Sequence, residues 1–354
     1  MRSIMFTGGG SAGHVTVNLA LIPKFLDEGW TVSYMGSESG IERELIASLP
    51  DVKYDAISTG KLRRYMDWQN VKDPFKVVKG VFQAYWFMRE RKPDVLFSKG
   101  GFVSVPVVLA AWLNRVPVVI HESDITPGLA NRIAIPFATS VCTTFQETAA
   151  MLKHRSGGHV GAVIREELFA GDARKGRELC GFHAGKPVLL IAGGSLGARS
   201  INAAVRKSLA ELTKRYQIVH LCGKNGLDKS IQMPDYRQYE YVKEELPDIM
   251  AMADIAVSRA GSNAIFELLA LKKPMLLIPL TKEQSRGDQL LNAQSFEKQG
   301  YCDVLYEEKL SGESLVEAID ALYRNRSAYK KRMSASADTN ALHVLYDRII
   351  ERVK

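Results

Sequence analysis

The 354 residues contain no Asp-x-Asp pair, so the paired aspartates that chelate a diphosphate-bound metal are missing. There is no G-x-x-x-x-G-K-[ST] either, which excludes a P-loop nucleotide site. Cysteine is scarce: Cys142, Cys180, Cys222 and Cys302 are scattered without a C-x-x-C pair. That spacing argues against zinc and against a disulfide framework, and fits a reducing cytosol. Long apolar runs are absent, since the longest, 103–120, is broken by Asn114, Arg115 and Pro117 and does not read as a membrane span. From Arg2 the chain runs directly into a short strand, with no apolar signal region. A formal charge of +8 favours anionic partners, yet no arginine-rich stripe, zinc finger or RNA-binding signature points to nucleic acid. No metal or cofactor site is expected.

What is present is a duplication. SIMFTGGGSAGH at 3–14 and VLLIAGGSLGAR at 188–199 each place a glycine-rich turn between an apolar strand and a helix-like stretch. Such turns let backbone N–H groups approach an anion, and the following helix N-terminus adds partial positive charge. Around each turn, short β-branched runs alternate with amphipathic ones, the pattern of a parallel sheet wrapped by helices. A weaker echo links 97–122 with 257–280, each running strand, Ser-basic, glycine, helix, proline, strand. The chain therefore reads as α/β, with two Rossmann-like doubly wound domains over 1–162 and 163–337. The boundary is expected near 155–166, in RSGGHVGAVIREE, and a final helix within 338–354 is expected to pack back on the first domain.

Individual residues keep more than one meaning at this stage. Gly8, Gly10 and Gly13 formally make G-x-G-x-x-G, and Glu38 lies roughly where a ribose-binding acid of a dinucleotide site would sit. Against that reading stand His14 directly after the last glycine and the second glycine turn. His14 reads either as a neutral base at a helix start or as a turn-filling cap. Glu267, on an otherwise apolar helix after a glycine turn, suits two ribose hydroxyls but also a solvated helix face. Gln289 and Asn292, at i and i+3, are placed to read sugar hydroxyls or simply to face solvent. In 62–91, Phe75, Phe82, Tyr85 and Trp86 mix with Lys76 and Lys79, with Trp112 nearby. That mixture describes either a membrane-resting face or a core-packed helix with basic residues outside.

TGGGSAGH at 7–14, KGGFVSVP at 99–106, HESDITPGLANRIA at 121–134, GGSLGARSIN at 193–202, SRAGSNAIFELLA at 258–270 and DQLLNA at 288–293 settle the resemblance. Together, in order and over nearly the whole chain, they resemble the MurG family of N-acetylglucosaminyltransferases, in glycosyltransferase family 28. The resemblance implies a metal-independent GT-B enzyme whose two domains face a cleft. It would move N-acetylglucosamine from UDP-N-acetylglucosamine to the 4-hydroxyl of MurNAc in undecaprenyl-pyrophosphoryl-MurNAc-pentapeptide (lipid I), giving lipid II for peptidoglycan. The donor would meet Ser11, Ala12, Gly13, Arg165, Ser195, the Val242 backbone, Ser262, Asn263, Ala264, Ile265, Phe266, Glu267, Gln289 and Asn292. The acceptor pyrophosphate would meet Gly10, Ser11, Gly13, Gly100 and Gly101, with His14 as base.

The resemblance also turns the aromatic and basic face at 62–91 into an expected docking surface on an anionic membrane, at the cytoplasmic side, with other cell-wall synthesis proteins as further partners. Asp124, in HESD, stands where the family commonly has asparagine in HEQN, and is expected to act as, or orient, the catalytic base. Two alternatives stay open: a related GT-B enzyme glycosylating another lipid such as diacylglycerol, and a silent nucleotide-sugar-binding protein.

Overall fold

The computed structural model describes residues 2–11, 13–60, 69–152, 156–194, 197–285, 287–336 and 341–353, with backbone only for 69–74 and 156. Two compact units result, Met1–Val163 with Asn340–Lys354, and Ile164–Thr339.

Among the described residues, unit 1 holds a seven-stranded parallel sheet of β1 (Ser3–Thr7), β2 (Thr31–Ser37), β3 (Lys53–Ile57), β4 (Val95–Ser98), β5 (Val118–Glu122), β6 (Ser140–Thr143) and β7 (Ser156–His159), in the order β3-β2-β1-β4-β5-β6-β7. Its helices are α1 (Gly13–Asp27), α2 (Ile41–Ile46), α3 (Gln69–Arg91), α4 (Ser104–Leu113), α5 (Leu129–Ala134) and α6 (Gln146–Met151). Unit 2 repeats the plan with β8 (Val188–Ala192), β9 (Gln217–Leu221), β10 (Tyr236–Tyr239), β11 (Ile255–Ser258), β12 (Met275–Leu277) and β13 (Cys302–Val304), ordered β10-β9-β8-β11-β12-β13. There α7 (Ala173–Cys180), α8 (Arg199–Leu212), α9 (Leu246–Met252), α10 (Ser262–Ala270), α11 (Asp288–Lys298) and α12 (Gly312–Ser334) supply the layers, and α13 (Leu342–Ile350) belongs to unit 1.

Strands covered on both faces need continuous apolar runs. The central strands meet this need: every residue of β4, β5 and β11 is buried. In each sheet the strand order reverses at one pair, β1 beside β4 (Thr7 level with Ser98) and β8 beside β11 (Ala192 level with Ser258). Ligands of open α/β sheets bind outside the carboxyl ends of strands at such a switch point. Both glycine turns, and both turns of the weaker echo, follow these four strands.

β10 is a half-buried edge strand whose YRQY lacks the apolar run that marks the central strands. One local expectation shifts. The segment from Ser156, expected as linker, begins as β7: a Cβ at Gly157 would meet the Cys142 sulfur at 2.9 Å, so glycine permits the close pairing with β6.

The core of unit 1 is closed by α13. Leu342, Leu345, Tyr346 and Ile349 are buried with α1, and the Phe25 ring lies against Phe6, Trp30 and Tyr346, with centroids 5.7, 5.2 and 4.6 Å away. Ala341 N–H donates to the Ala162 carbonyl at 2.9 Å, fixing where the returning segment joins. In unit 2, Ile201, Val205, Leu209 and Leu212 of α8 and Leu315, Ile319 and Leu322 of α12 pack with Leu189 and Ile191.

Candidate active site

In unit 1 the turns after β1 and β4 close on each other. Gly9 N–H donates to the Gly100 carbonyl at 3.3 Å, and Gly101 has φ +84° with its missing Cβ directed into the Gly9 carbonyl. Only glycine fits there without strain. The Gly101 carbonyl accepts from Ser104 N–H and from its hydroxyl, at 3.0 and 2.8 Å, starting α4.

His14 stands at the start of α1, half-buried between these turns. Its Nδ1 lies 3.2 Å from the Gly9 carbonyl and 2.9 Å from Ser11 Oγ. The Gly9 carbonyl can only accept, so this contact favours the Nδ1–H tautomer with the lone pair on Nε2, whereas the Ser11 hydroxyl can accept from Nδ1 or donate to it. Burial first, then the positive charge of Lys99, lowers the His14 pKa from 6.5 to about 4, against opposing contributions from the Gly9 carbonyl and Glu42. The ring is therefore neutral at physiological pH and able to accept a proton.

Two buried charges beneath the turns were not among the expected site residues. Lys99 is fully buried, its ammonium donating to Ser123 Oγ; burial lowers its pKa, while Glu122 and Asp124 oppose the shift. Glu42, in the first turn of α2, is also fully buried and accepts from Gly10 N–H at 3.2 Å. Glu42 and Ile46 are both buried at i, i+4, and that spacing was the one sequence signal for it. Glu38, the acid of the dinucleotide alternative, is exposed. Asp124, expected at or beside the base, has its N–H bound to Glu122 Oε1 at 3.0 Å and its carbonyl to Thr148 Oγ1 at 3.3 Å, and its charge acts on Lys99.

In unit 2 the corresponding turns precede α8 and α10. At Gly197, φ +75°, an added Cβ would strike the Cys222 carbonyl, whereas at Gly194 and Gly261 it would meet no atom of the described residues within 4 Å. The first-turn N–H groups of α10 belong to Ser262, Asn263 and Ala264. The side chains of Ile265 and Phe266 go to the core, so only their backbones face the turn. Glu267 lies one helical turn further, and both its oxygens accept from Arg165, Nε to Oε1 at 2.9 Å and Nη2 to Oε2 at 3.1 Å. Buried Arg259 braces the base of this site through Glu307, at 2.9 and 3.0 Å, and through Ser200 Oγ at 3.1 Å in α8.

Gln289 accepts from Leu280 N–H at 3.2 Å through its carbonyl oxygen, so its amide NH2 is what it can offer a ligand. Asn292 differs from expectation. It is fully buried and donates to the Ala260 carbonyl at 3.1 Å, bracing the turn from below where outward display beside Gln289 was expected. The Val242 side chain is buried just past β10. Ala12 and Ser195 lie outside the described residues.

On α3, Phe75, Val78, Phe82 and Trp86 are 76%, 53%, 65% and 68% exposed and share one helical face, while Ala84 and Met88 fill the core on the other. Lys76 and Lys79 are exposed beside them, and Trp112 and Leu113 of α4 are about half exposed. Tyr85 is half-buried against Trp86. Residues 62–68 of this expected face lie outside the described residues. Among the described residues no helix is long and apolar enough to cross a membrane.

The sequence matches the glycosyltransferase family 28 N-terminal domain over residues 4–143 and the family 28 C-terminal domain over 188–349. The chain belongs to glycosyltransferase family 28. A relative from Geobacillus thermodenitrificans (strain NG80-2), the "UDP-N-acetylglucosamine--N-acetylmuramyl-(pentapeptide) pyrophosphoryl-undecaprenol N-acetylglucosamine transferase", is 59% identical over 345 residues, 97% of each chain. A second transferase of the same description, from Bacillus anthracis, is 55% identical over 99% of this chain and 100% of its own. Among solved structures, MurG of Acinetobacter baumannii superposes with a TM-score of 0.79 at 25% identity, covering 99% of this chain and 100% of its own. The family 28 chain thus has the GT-B architecture of two Rossmann-like domains.

Proposed function

We propose that this family 28 glycosyltransferase moves N-acetylglucosamine from UDP-N-acetylglucosamine to the 4-hydroxyl of MurNAc in lipid I, forming lipid II with inversion and without a metal. The observation that carries this reading is the 59% identity, over 97% of both chains, to a transferase described by that reaction. The geometry suits it. Nε2 of His14 takes the proton as the 4-hydroxyl oxygen attacks the anomeric carbon, and the bond from that carbon to the diphosphate breaks on the opposite face. Negative charge growing on the departing UDP is met by the N-terminal ends of α8 and α10. Glu267, held by Arg165, takes the ribose hydroxyls, and the Gln289 NH2 reaches the transferred sugar.

The acceptor pyrophosphate sits on the turns around Ser11, Gly13, Gly100 and Gly101. Gly10 contributes shape more than a hydrogen bond, because its N–H is held by Glu42. The acceptor is a membrane lipid, and the exposed aromatic row of α3 with Lys76 and Lys79 rests on an anionic bilayer at its cytoplasmic face.

Supplying the purified protein with UDP-N-acetylglucosamine and either lipid I or diacylglycerol tests the reading. A disaccharide product from lipid I alone supports it; glucosaminyl-diacylglycerol instead, or UDP binding without turnover, refutes it.

A further inference from the structure

The buried carboxylate of Glu42 and the ring of His14 lie at opposite ends of a single peptide group. Gly10 N–H donates to Glu42 Oε2 at 3.2 Å, and the carbonyl of that same peptide unit, Gly9 C=O, lies 3.2 Å from His14 Nδ1. A trans peptide is planar with its N–H and C=O pointing in opposite directions, so whatever holds one fixes the other. No cis peptide occurs among the described residues. We propose that Glu42 is a positioning residue for the transfer reaction, orienting and polarising the Gly9–Gly10 peptide so that its carbonyl locks His14 in the Nδ1–H tautomer.

The surroundings are built for that carboxylate. Its other oxygen, Oε1, accepts from Ser37 N–H at 3.1 Å and from the Ser37 hydroxyl. A Cβ at Gly9 would come within 2.5 Å of the Glu42 carboxyl carbon, and one at Gly40 would collide with the same group. Among the described residues its hydrogen-bond donors are all neutral, so hydrogen bonds rather than an ion pair offset the desolvation of this buried carboxylate. A glutamine of the same shape would avoid that cost but would not do the same work. Both oxygens accept from N–H groups, and an amide NH2 in place of either one faces Gly10 N–H or Ser37 N–H donor to donor. With the carboxylate in place, negative charge behind Gly10 N–H makes the Gly9 carbonyl a better acceptor, which favours the imidazolium formed when His14 takes a proton.

The inference rests on His14 being the base, and the test separates the two. In the full chain with 15N-labelled histidine, the His14 ring, assigned by comparison with His14→Gln, is expected to show a protonated Nδ1 and an unprotonated Nε2. A protonated Nε2 in the unmutated protein overturns the proposal outright, whether or not any variant folds. Glu42→Gln is expected to shift His14 toward the other tautomer and to lower kcat by roughly tenfold to a hundredfold, part of what a general base contributes. The KM for UDP-N-acetylglucosamine should stay within about twofold, because Arg165, Glu267 and Gln289, which hold the ribose and the sugar in this reading, belong to unit 2. Glu42→Asp, which keeps two acceptor oxygens, should recover part of both effects. An unchanged tautomer in Glu42→Gln means that Glu42 only holds the fold, whatever happens to kcat, and overturns the proposal. Full turnover by His14→Gln alongside a Glu42-dependent tautomer refutes the base assignment while leaving this link intact.

Discussion

Arg165 holds Glu267 by a two-point grip, Nε to Oε1 at 2.9 Å and Nη2 to Oε2 at 3.1 Å, although the two residues are 102 positions apart in the chain. The guanidinium is 30% exposed and the carboxylate 12%. A bidentate pair fixes the plane of the carboxylate as well as its position. Arg165→Ala is therefore expected to weaken UDP binding by about 1–2 kcal/mol, a value discounted for the partly open guanidinium. Arg165→Lys should restore little of it, since an ammonium is a single point of attachment. Titration calorimetry with UDP checks both, and affinity equal to the parent in Arg165→Ala would remove the arginine from the donor site.

His14→Ala should lower kcat by roughly a hundredfold to ten-thousandfold with UDP affinity unchanged. The pH profile carries a second expectation. With a folded pKa of about 4 against 6.5 for an ordinary histidine, the ring stays unprotonated in the free enzyme down to about pH 4. The acid limb of kcat/KM for a water-soluble acceptor analogue should then lie well below 6.5. The same shift makes stability fall as pH drops from 6.5 to about 4, because only the unfolded chain binds the proton there. Lys99→Met removes the cation that helps lower the pKa, and should move the limb upward. A limb at 6.5 in the parent enzyme contradicts the assignment.

Phe82 and Trp86 are about two-thirds exposed, so serine at both should leave the thermal midpoint nearly unchanged. Partition onto vesicles of anionic lipid should drop at least about tenfold, given the transfer energy of two aromatic side chains. Turnover of a water-soluble acceptor should persist. Sedimentation with vesicles of phosphatidylglycerol reads the first effect, and unchanged partition would assign this face some other role.

Gly101→Ala and Gly194→Ala form a matched pair. Both glycines have positive φ, +84° and +89°, but a Cβ at Gly101 enters the Gly9 carbonyl whereas one at Gly194 meets nothing within 4 Å among the described residues. The first should cost about 1–3 kcal/mol and carry kcat down with it, because the displaced carbonyl is the one that orients His14. The second should cost only the backbone strain of about 1–2 kcal/mol. Denaturant unfolding compares them, and equal losses would show that contact with the Gly9 carbonyl is unimportant.

What the residues alone made legible was the periodic part. Apolar runs buried on both faces marked β4, β5, β8 and β11, and the glycine turns marked where the strand order reverses. Strands without that signature were missed: β7, SGGH, pairs through close approach permitted by glycine. Within the candidate site, His14 and Glu267 were singled out because each follows a glycine turn. Pairings across the fold were not, since nothing local in Arg165 names Glu267 as its partner. Glu42 was hidden by a general rule, as an acid in the first turn of a helix ordinarily serves the helix dipole in solvent. Asn292 was misjudged because i and i+3 positions are turned by some 60° around the axis. That rotation suffices to leave Gln289 half-buried and Asn292 enclosed.

The return of α13 gives unit 1 an order of assembly. A chain emerging from the ribosome has all seven strands of unit 1 outside long before Leu342, Leu345, Tyr346 and Ile349 are translated, and the whole of unit 2 comes between. Until then the side of α1 carrying Phe25 lacks its cover. Unit 2, contiguous in sequence, can close first, while the unit that carries His14 waits for the segment made after it.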